Sequence, residues 1–168
     1  MDAAIIQTER LALRPLTVGC ATDMVSVLSD DALYTFTGGQ SPTLAELQDR
    51  YRSQVAGSGN DAEVWLNWIL RRLTDDVTIG FLQADVTPDG VELAWLIGVQ
   101  YQGAGFAVEA AAALLEWFVE GGASRITAHI HVDHLASQNV ATRIGLTQTN
   151  EIDDEGESVW MLLAPPTG

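Results

Sequence analysis

At 168 residues and 47% hydrophobic content, the chain has room for a real core and is too apolar to be disordered. Its eight arginines, lack of lysine and 23 acidic residues give a net charge of −15, which opposes nucleic acid and anionic membrane surfaces as partners. One cysteine excludes an intrachain disulfide, and no basic leader or long apolar run is present, predicting a soluble cytoplasmic protein with one domain over residues 1–168.

In chain order, residues 7–16 alternate and end near Pro15, predicting a first edge strand. Residues 17–33 predict a helix, with Thr17 or Thr22 as cap, Cys20 buried near its start, and Met24, Val25, Val27 and Leu28 on its apolar side. Residues 34–43 form a loop around Gly38, Gly39 and Pro42. Ser41 or Thr43 caps a second helix over 44–55, with Glu46 in its first turn. After a polar loop come three strands, over 63–73, 76–86 and 91–99, the last two joined by the turn Thr87-Pro88-Asp89-Gly90.

The third of these strands runs into Gln100-Tyr101-Gln102-Gly103-Ala104-Gly105. An alanine-rich helix follows, with Leu114, Leu115, Trp117 and Phe118 on its period and Gly121-Gly122 as its stop. A strand–glycine turn–helix suits a phosphate, because a helix start offers unpaired N–H groups and glycines let the backbone approach closely. A P-loop would need a lysine, which the chain lacks. A dinucleotide fingerprint would need a small third residue where Val108 stands, and an acidic residue that the next strand withholds until Asp133. An ordinary glycine-rich connection fits as well.

Residues 125–132 read as an alternating strand, 136–144 as a short helix stopped by Gly145, and 146–152 with 158–163 as a closing hairpin around 153–157. The order β, α, α, β, β, β, α, β, α, β, β predicts an α/β fold, a mixed and mostly antiparallel sheet with helices on both faces.

The glycine turn matches Gln/Arg-x-x-Gly-x-Gly/Ala and resembles the acetyl-CoA motif of the GNAT superfamily of N-acetyltransferases; the element order is that family's too. Thr8-Glu9-Arg10-Leu11 with Arg14, Gly38 followed by Ser41-Pro42-Thr43, and Ala136-Ser137 followed by Arg143-Ile144-Gly145 resemble its ribosomal-protein N-terminal alanine acetyltransferase branch. The resemblance implies a splay between the fourth and fifth strands, 91–99 and 125–132, into which the pantetheine arm of CoA inserts. Main-chain groups of Ile97 and Val99 would pair with it, a role compatible with core side chains. Gln100, Gly103 and Gly105, with the amides of Gln102, Ala104, Phe106 and Ala107, would cradle the pyrophosphate. CoA is anionic, so backbone donors must overcome the chain's charge.

The implied reaction is attack of a neutral amine on the thioester. Glu92, on the CoA-binding strand, is the first candidate base, its alternative being a solvated glutamate. Glu109 is expected to pair near the helix start instead. Ser137 matches the branch's serine that serves the leaving thiolate, or is a helix N-cap. His134 replaces a usual asparagine, which questions the pantetheine contact and offers an acid or base near neutral pH. Ala141 replaces a common tyrosine. His129 and His131 share a strand face, as lining of a polar acceptor cleft; with Asp133 they could mimic a metal site, but no metal is needed. Trp65 and Trp68 point to opposite faces, one of them lining that cleft. Hairpin 153–157 is a solvated turn that in relatives borders the acceptor entrance.

The expectation is an acetyl-CoA-dependent N-acetyltransferase for a peptide N-terminus or a small amine such as a polyamine or amino-sugar, in a homodimer as in many similar proteins. The departures at His134 and Ala141 leave an alternative, an acyl-CoA-binding module with little or no catalysis. The net acidity favours a cationic acceptor or serves solubility alone.

Overall fold

The structure, a computed structural model, describes residues 1–163. Its strands are β1 (Ile6–Gln7), β2 (Leu11–Pro15), β3 (Val64–Arg72), β4 (Val77–Thr87), β5 (Gly90–Ile97), β6 (Arg125–Ile130), β7 (Thr147–Ile152) and β8 (Ser158–Leu163). They form one sheet in the order β1-β2-β3-β4-β5-β6-β8-β7. Only β5 and β6 run parallel, as the helical crossover between them requires; every other pair is antiparallel.

Alternation along the strands sorts side chains onto two faces. Trp68, Leu70, Leu82, Ala84, Val91, Leu93, Ile97 and Ile126 join a core with α3 (Phe106–Glu120). Trp68 is fully buried there, edge-on to Trp117 and Phe118, and its indole N–H donates to Ala4 O. Helix α4 (Leu135–Arg143) packs beside α3 over Ala128, Ile130 and Trp160. On the other face α1 (Ala21–Val27) and α2 (Leu44–Ala56) cover Ile69, Phe81 and Leu96. They cover only that end of the face.

Helix α2 begins at the expected cap. Thr43 Oγ1 accepts from the Glu46 amide, and the Glu46 carboxylate accepts from the Thr43 amide. The helix predicted over 17–33 is instead broken into a 3-10 turn at Val18–Cys20, α1, and a 3-10 turn at Asp31–Tyr34. Asp30 explains the break, since its carboxylate accepts from the Ala32 amide and starts the second turn. Neither Thr17 nor Thr22 caps by its side chain, and Cys20 is only half-buried, beside the Thr17 hydroxyl.

The predicted first strand is a hairpin: β1 folds back on β2 and takes the edge. Glu109, in the first turn of α3, holds the bend. Its carboxylate accepts from Thr8 Oγ1 at 2.6 Å, the Arg10 amide at 2.8 Å and Arg10 Nε at 2.6 Å. Burial works against the charge, but these bonds outweigh it and hold the carboxyl below the ordinary glutamate range. A depressed pKa adds stability above the unfolded pKa and loses it as pH falls through the folded one. Glu109→Ala is expected to cost about 2 kcal/mol and to lower Tm by roughly 4–8 °C near neutral pH. The deficit should shrink only as pH falls below the ordinary glutamate value of about 4.3 and on through the lower folded-state value, where the wild-type carboxylate is itself protonated; a series of thermal melts from pH 7 downward checks both.

Candidate active site

Strand β5 continues its ladder with β4 until the Gly98 amide donates to Ile79 O at 2.8 Å; the Tyr101 amide then turns back to Gly98 O at 2.8 Å. The strand therefore ends at Ile97, and Val99, expected on it, lies in a 3-10 turn with Gln100 and Tyr101. The Gln102 side chain clamps this turn by donating to Ile97 O at 2.9 Å. Gly103 and Gly105 follow with φ of +77° and +81°, a region open mainly to glycine.

Helix α3 starts at Gly105 without a side-chain cap, and its first internal bond is Glu109 N to Gly105 O. The amides of residues 103–108 thus have no protein acceptor among the described residues. Gln102, Gly103, Ala104 and Gly105 are exposed, while Phe106 is buried and Ala107 half-buried. Arg10 fixes the loop from below: Nη1 donates to Ala104 O at 2.9 Å and its guanidinium lies 4.5 Å from the Phe106 ring centre. Its charge is paired with Glu109, so the free donors of the loop are peptide N–H groups.

Strands β5 and β6 pair only at Val91–Ile126 and Glu92–Thr127, then part. The Gly98 amide points to β4, so alternation turns the main-chain groups of Leu93, Trp95 and Ile97 toward the gap. Apart from Ile97 O, which the Gln102 side chain takes, the gap holds an unpaired strand edge that accepts an extended amide chain, and it leads to the bare amides of the glycine turn.

Glu92 stands where the strands separate. It lies on the face that α1 and α2 leave open, with Trp65, Asp85 and Thr127 in neighbouring positions across the strands. Its side chain is 49% exposed, and His129 Nε2 lies 3.7 Å from Oε2. On the far side of the ring, His129 Nδ1 is 2.7 Å from Asp153 Oδ2. Asp153 Oδ1 accepts from the Glu155 and Glu157 amides, at 2.9 Å and 2.8 Å. Those amides, against burial and aided by His129, hold the Asp153 carboxyl below its ordinary range. Glu92 moves the other way: burial pushes it up, His129 lowers it in part, and Asp85 and Asp153 raise it further. The cleft around these groups encloses about 420 Å³, within the range of small-ligand sites.

Hairpin 153–157 is therefore more than a solvated turn, since it orients His129. Trp65 lies on the open face, its indole N–H donating to Glu63 Oε1 at 2.9 Å. β6 ends at Ile130, so His131 lies just beyond the strand, with its ring centre 5.4 Å from that of Phe36.

His134 and Ser137 form a second group, beyond the end of β6. His134 is the N-cap residue of α4 and stacks on Phe36 at 4.5 Å. Burial, with His131 nearby, pushes its pKa below the usual histidine value, so the ring is neutral at pH 7. Ser137 sits inside the first turn and is not the cap; its hydroxyl lies 3.4 Å from His134 Nε2. No hydrogen bond among the described residues joins this group to Glu92. Ala141 is buried against α3. Two functional contributors have no local signal in the sequence. Arg10 enters only as part of an edge-strand motif, and the pairing of His129 with Asp153 spans 24 positions.

A model of the acetyltransferase (GNAT) domain family matches residues 10–147. No curated protein matches the sequence significantly. Among solved structures, the chain superposes on a protein provisionally called a ribosomal-protein-serine acetyltransferase, from Vibrio cholerae, with TM-score 0.83 and 18% identity, covering 98% of this chain and 100% of the other. It is also similar to the ribosomal L7/L12 α-N-protein acetyltransferase RimL in complex with coenzyme A, with TM-score 0.79 and 14% identity over 95% of this chain and 98% of the other. A GNAT-family acetyltransferase from Bacillus anthracis gives TM-score 0.78 and 20% identity, over 95% and 98%. At these identities the superpositions speak to the fold.

Proposed function

Because the chain belongs to the GNAT acetyltransferase family, and is thereby an acetyl-CoA-dependent acetyltransferase, we propose that its acceptor is a primary amine bound on the open face of β4, β5 and β6, with Glu92 as the base. The observation that carries this is the place of Glu92: half-exposed, at the point where β5 and β6 part, and braced by His129 and Asp153.

An amine is protonated near neutral pH, with a pKa of about 8 for an α-amine and about 10.4 for a lysine-type amine. Glu92 accepts that proton, and a pKa raised by burial makes it a stronger base than a solvated carboxylate. The neutral nitrogen then forms the C–N bond as the C–S bond breaks, the thiolate leaves with the electron pair, and the surplus proton on the nitrogen passes to that thiolate, giving the amide and free thiol. His129 sits between Glu92 and Asp153 as a positioning residue through which the Glu92 proton can reach solvent. The unpaired amides after Gly103 hold the diphosphate, the open edge of β5 holds the pantetheine amides, and His134 with Ser137 hydrogen-bonds the arm and the departing sulfur.

Incubation with acetyl-CoA and a panel of amines, following free thiol and product mass, tests this. Amine-dependent thiol release with one acetyl added to nitrogen is expected. Release that no amine accelerates, with water as sole acceptor, overturns it. Ser137→Ala is expected to lower kcat about tenfold, the loss of one hydrogen bond in the transition state. CoA affinity should change less; an unchanged kcat with a lowered Tm would make Ser137 structural only.

A further inference from the structure

Beside the acidic cleft, on the same face of the sheet, a second pocket of about 160 Å³ opens between α2 and strands β3 and β4. Its polar lining is Arg50, Tyr51, Gln54, Asn67 and Gln83, over an apolar floor, and it contains no carboxylate. In a chain with 23 acidic residues and eight arginines, a cavity with one arginine and no acid is a local reversal of charge. Tyr51 is 4% exposed, and its hydroxyl has no hydrogen-bond partner among the described residues. An unpaired buried hydroxyl costs stability, so something that binds it is expected in the working state. The side-chain amides of Gln54 and Asn67 and the Arg50 guanidinium likewise make no hydrogen bond or ion pair among the described residues. The pocket thus gathers four donors that no acceptor of the described chain satisfies.

The pocket is too small for a whole ligand, which typically occupies about 300–1,000 Å³. It holds an end group. Gln83 stands opposite Ala94 on β5, two positions beyond Glu92 on the same face, and Ala94 is exposed, as Glu92 is. The two sites are thus joined along one row of the sheet, roughly 7 Å along the strands. The cleft end carries Glu63, Asp85, Glu92 and Asp153, suited to an ammonium group. The far end carries Arg50 and neutral donors, suited to a carboxylate.

Resting on the acceptor reading above, we propose that the pocket under α2 binds the carboxylate of the acceptor. The substrate class is then an amino-carboxylate whose amine meets Glu92 and whose acid group, about six bonds or more away because the Gln83 edge of the pocket already lies roughly 7 Å along the strands, meets Arg50 and Tyr51. A diamine or polyamine would place a cation against Arg50, and an amide would lose the charge-assisted bonds.

The test uses three probes with the same spacer: 6-aminohexanoate, 6-aminohexanamide and 1,6-diaminohexane, each at saturating acetyl-CoA. The expected kcat/KM for 6-aminohexanoate exceeds that of either other probe by about tenfold or more. Arg50→Gln should abolish the preference over the amide. Tyr51→Phe should raise KM for 6-aminohexanoate about fivefold with kcat little changed, while Tm stays level or rises, because an unpartnered hydroxyl has been removed. A purely structural tyrosine would move Tm without moving KM. Equal use of the three probes, a preference for the diamine, or a ranking indifferent to Arg50→Gln overturns the inference while leaving acetyl transfer to amines standing. If none of the three, nor any other amine, accelerates thiol release, the acceptor reading itself fails and this one with it.

Discussion

Glu92→Gln is expected to lower kcat/KM at pH 7 by about 10²–10⁴, the range for loss of a positioned general base. The glutamine keeps the shape and removes the proton acceptor. In the wild type, activity falls as pH drops through the Glu92 pKa, which burial in the cleft and the neighbouring Asp85 and Asp153 place above the ordinary carboxylate value. That acidic limb should vanish in the variant. A different dependence should replace it, since only amine molecules already neutral in solution can react. For an amine of pKa about 10.4, their share grows about tenfold per pH unit. The deficit should therefore shrink by about the same factor per unit between pH 7 and 9. His129→Gln provides the complementary sign. The imidazole lowers the Glu92 pKa, so its removal should shift the acidic limb to higher pH. Profiles for Glu92→Gln that run parallel to wild type at every pH would remove Glu92 from the chemistry.

Local features of this site are legible in the sequence. Gly103 and Gly105 after an apolar strand predict a donor-rich turn, and the structure gives both the left-handed backbone and the free amides. Thr43 with Glu46 predicts a capped helix, and both bonds of the capping box form. Glu92 stands out because it sits within the strand feeding that turn. Long-range relations are not legible. Nothing between Arg10 and Glu109 signals that 99 positions apart they close one ion pair. The bend between β1 and β2 depends on that contact, so an alternating stretch reads as one strand. The sequence places His129 on a cleft-lining strand and Asp153 in a hairpin at the acceptor entrance, but not against each other, because the register of β6 with β8 decides that they meet. Tyr51 carries a helical apolar position by type. Only the packing of α2 on the sheet leaves its hydroxyl without a partner. Periodicity encodes which face a residue takes, whereas register across strands encodes whom it meets there.

Gly103→Ala should leave the protein folded and weaken acetyl-CoA binding by about 100-fold, the equivalent of losing one or two charge-assisted amide–phosphate bonds. At φ of +77° an alanine is strained by about 1 kcal/mol. In the free protein its Cβ would meet nothing within 4 Å. Strain alone therefore predicts a drop in Tm of a few degrees and no clash. The same open space is where a diphosphate must come to reach the amides of residues 103–108, so the methyl group acts on the complex far more than on the apoprotein. Gly122 supplies the control. It too has a positive φ, +90°, and a Cβ placed there would meet nothing within 4 Å, but it lies past the C-terminal end of α3. The 15 residues of α3, at about 1.5 Å each, set the two glycines more than roughly 20 Å apart. Gly122→Ala should lower Tm to a similar extent and leave the calorimetric Kd for acetyl-CoA as in the wild type. Matching melts with diverging affinities would assign the Gly103 effect to the phosphate and not to the backbone. If Gly103→Ala binds acetyl-CoA like the wild type, the diphosphate is gripped elsewhere, and the open edge of β5 loses its role as the path for the pantetheine arm.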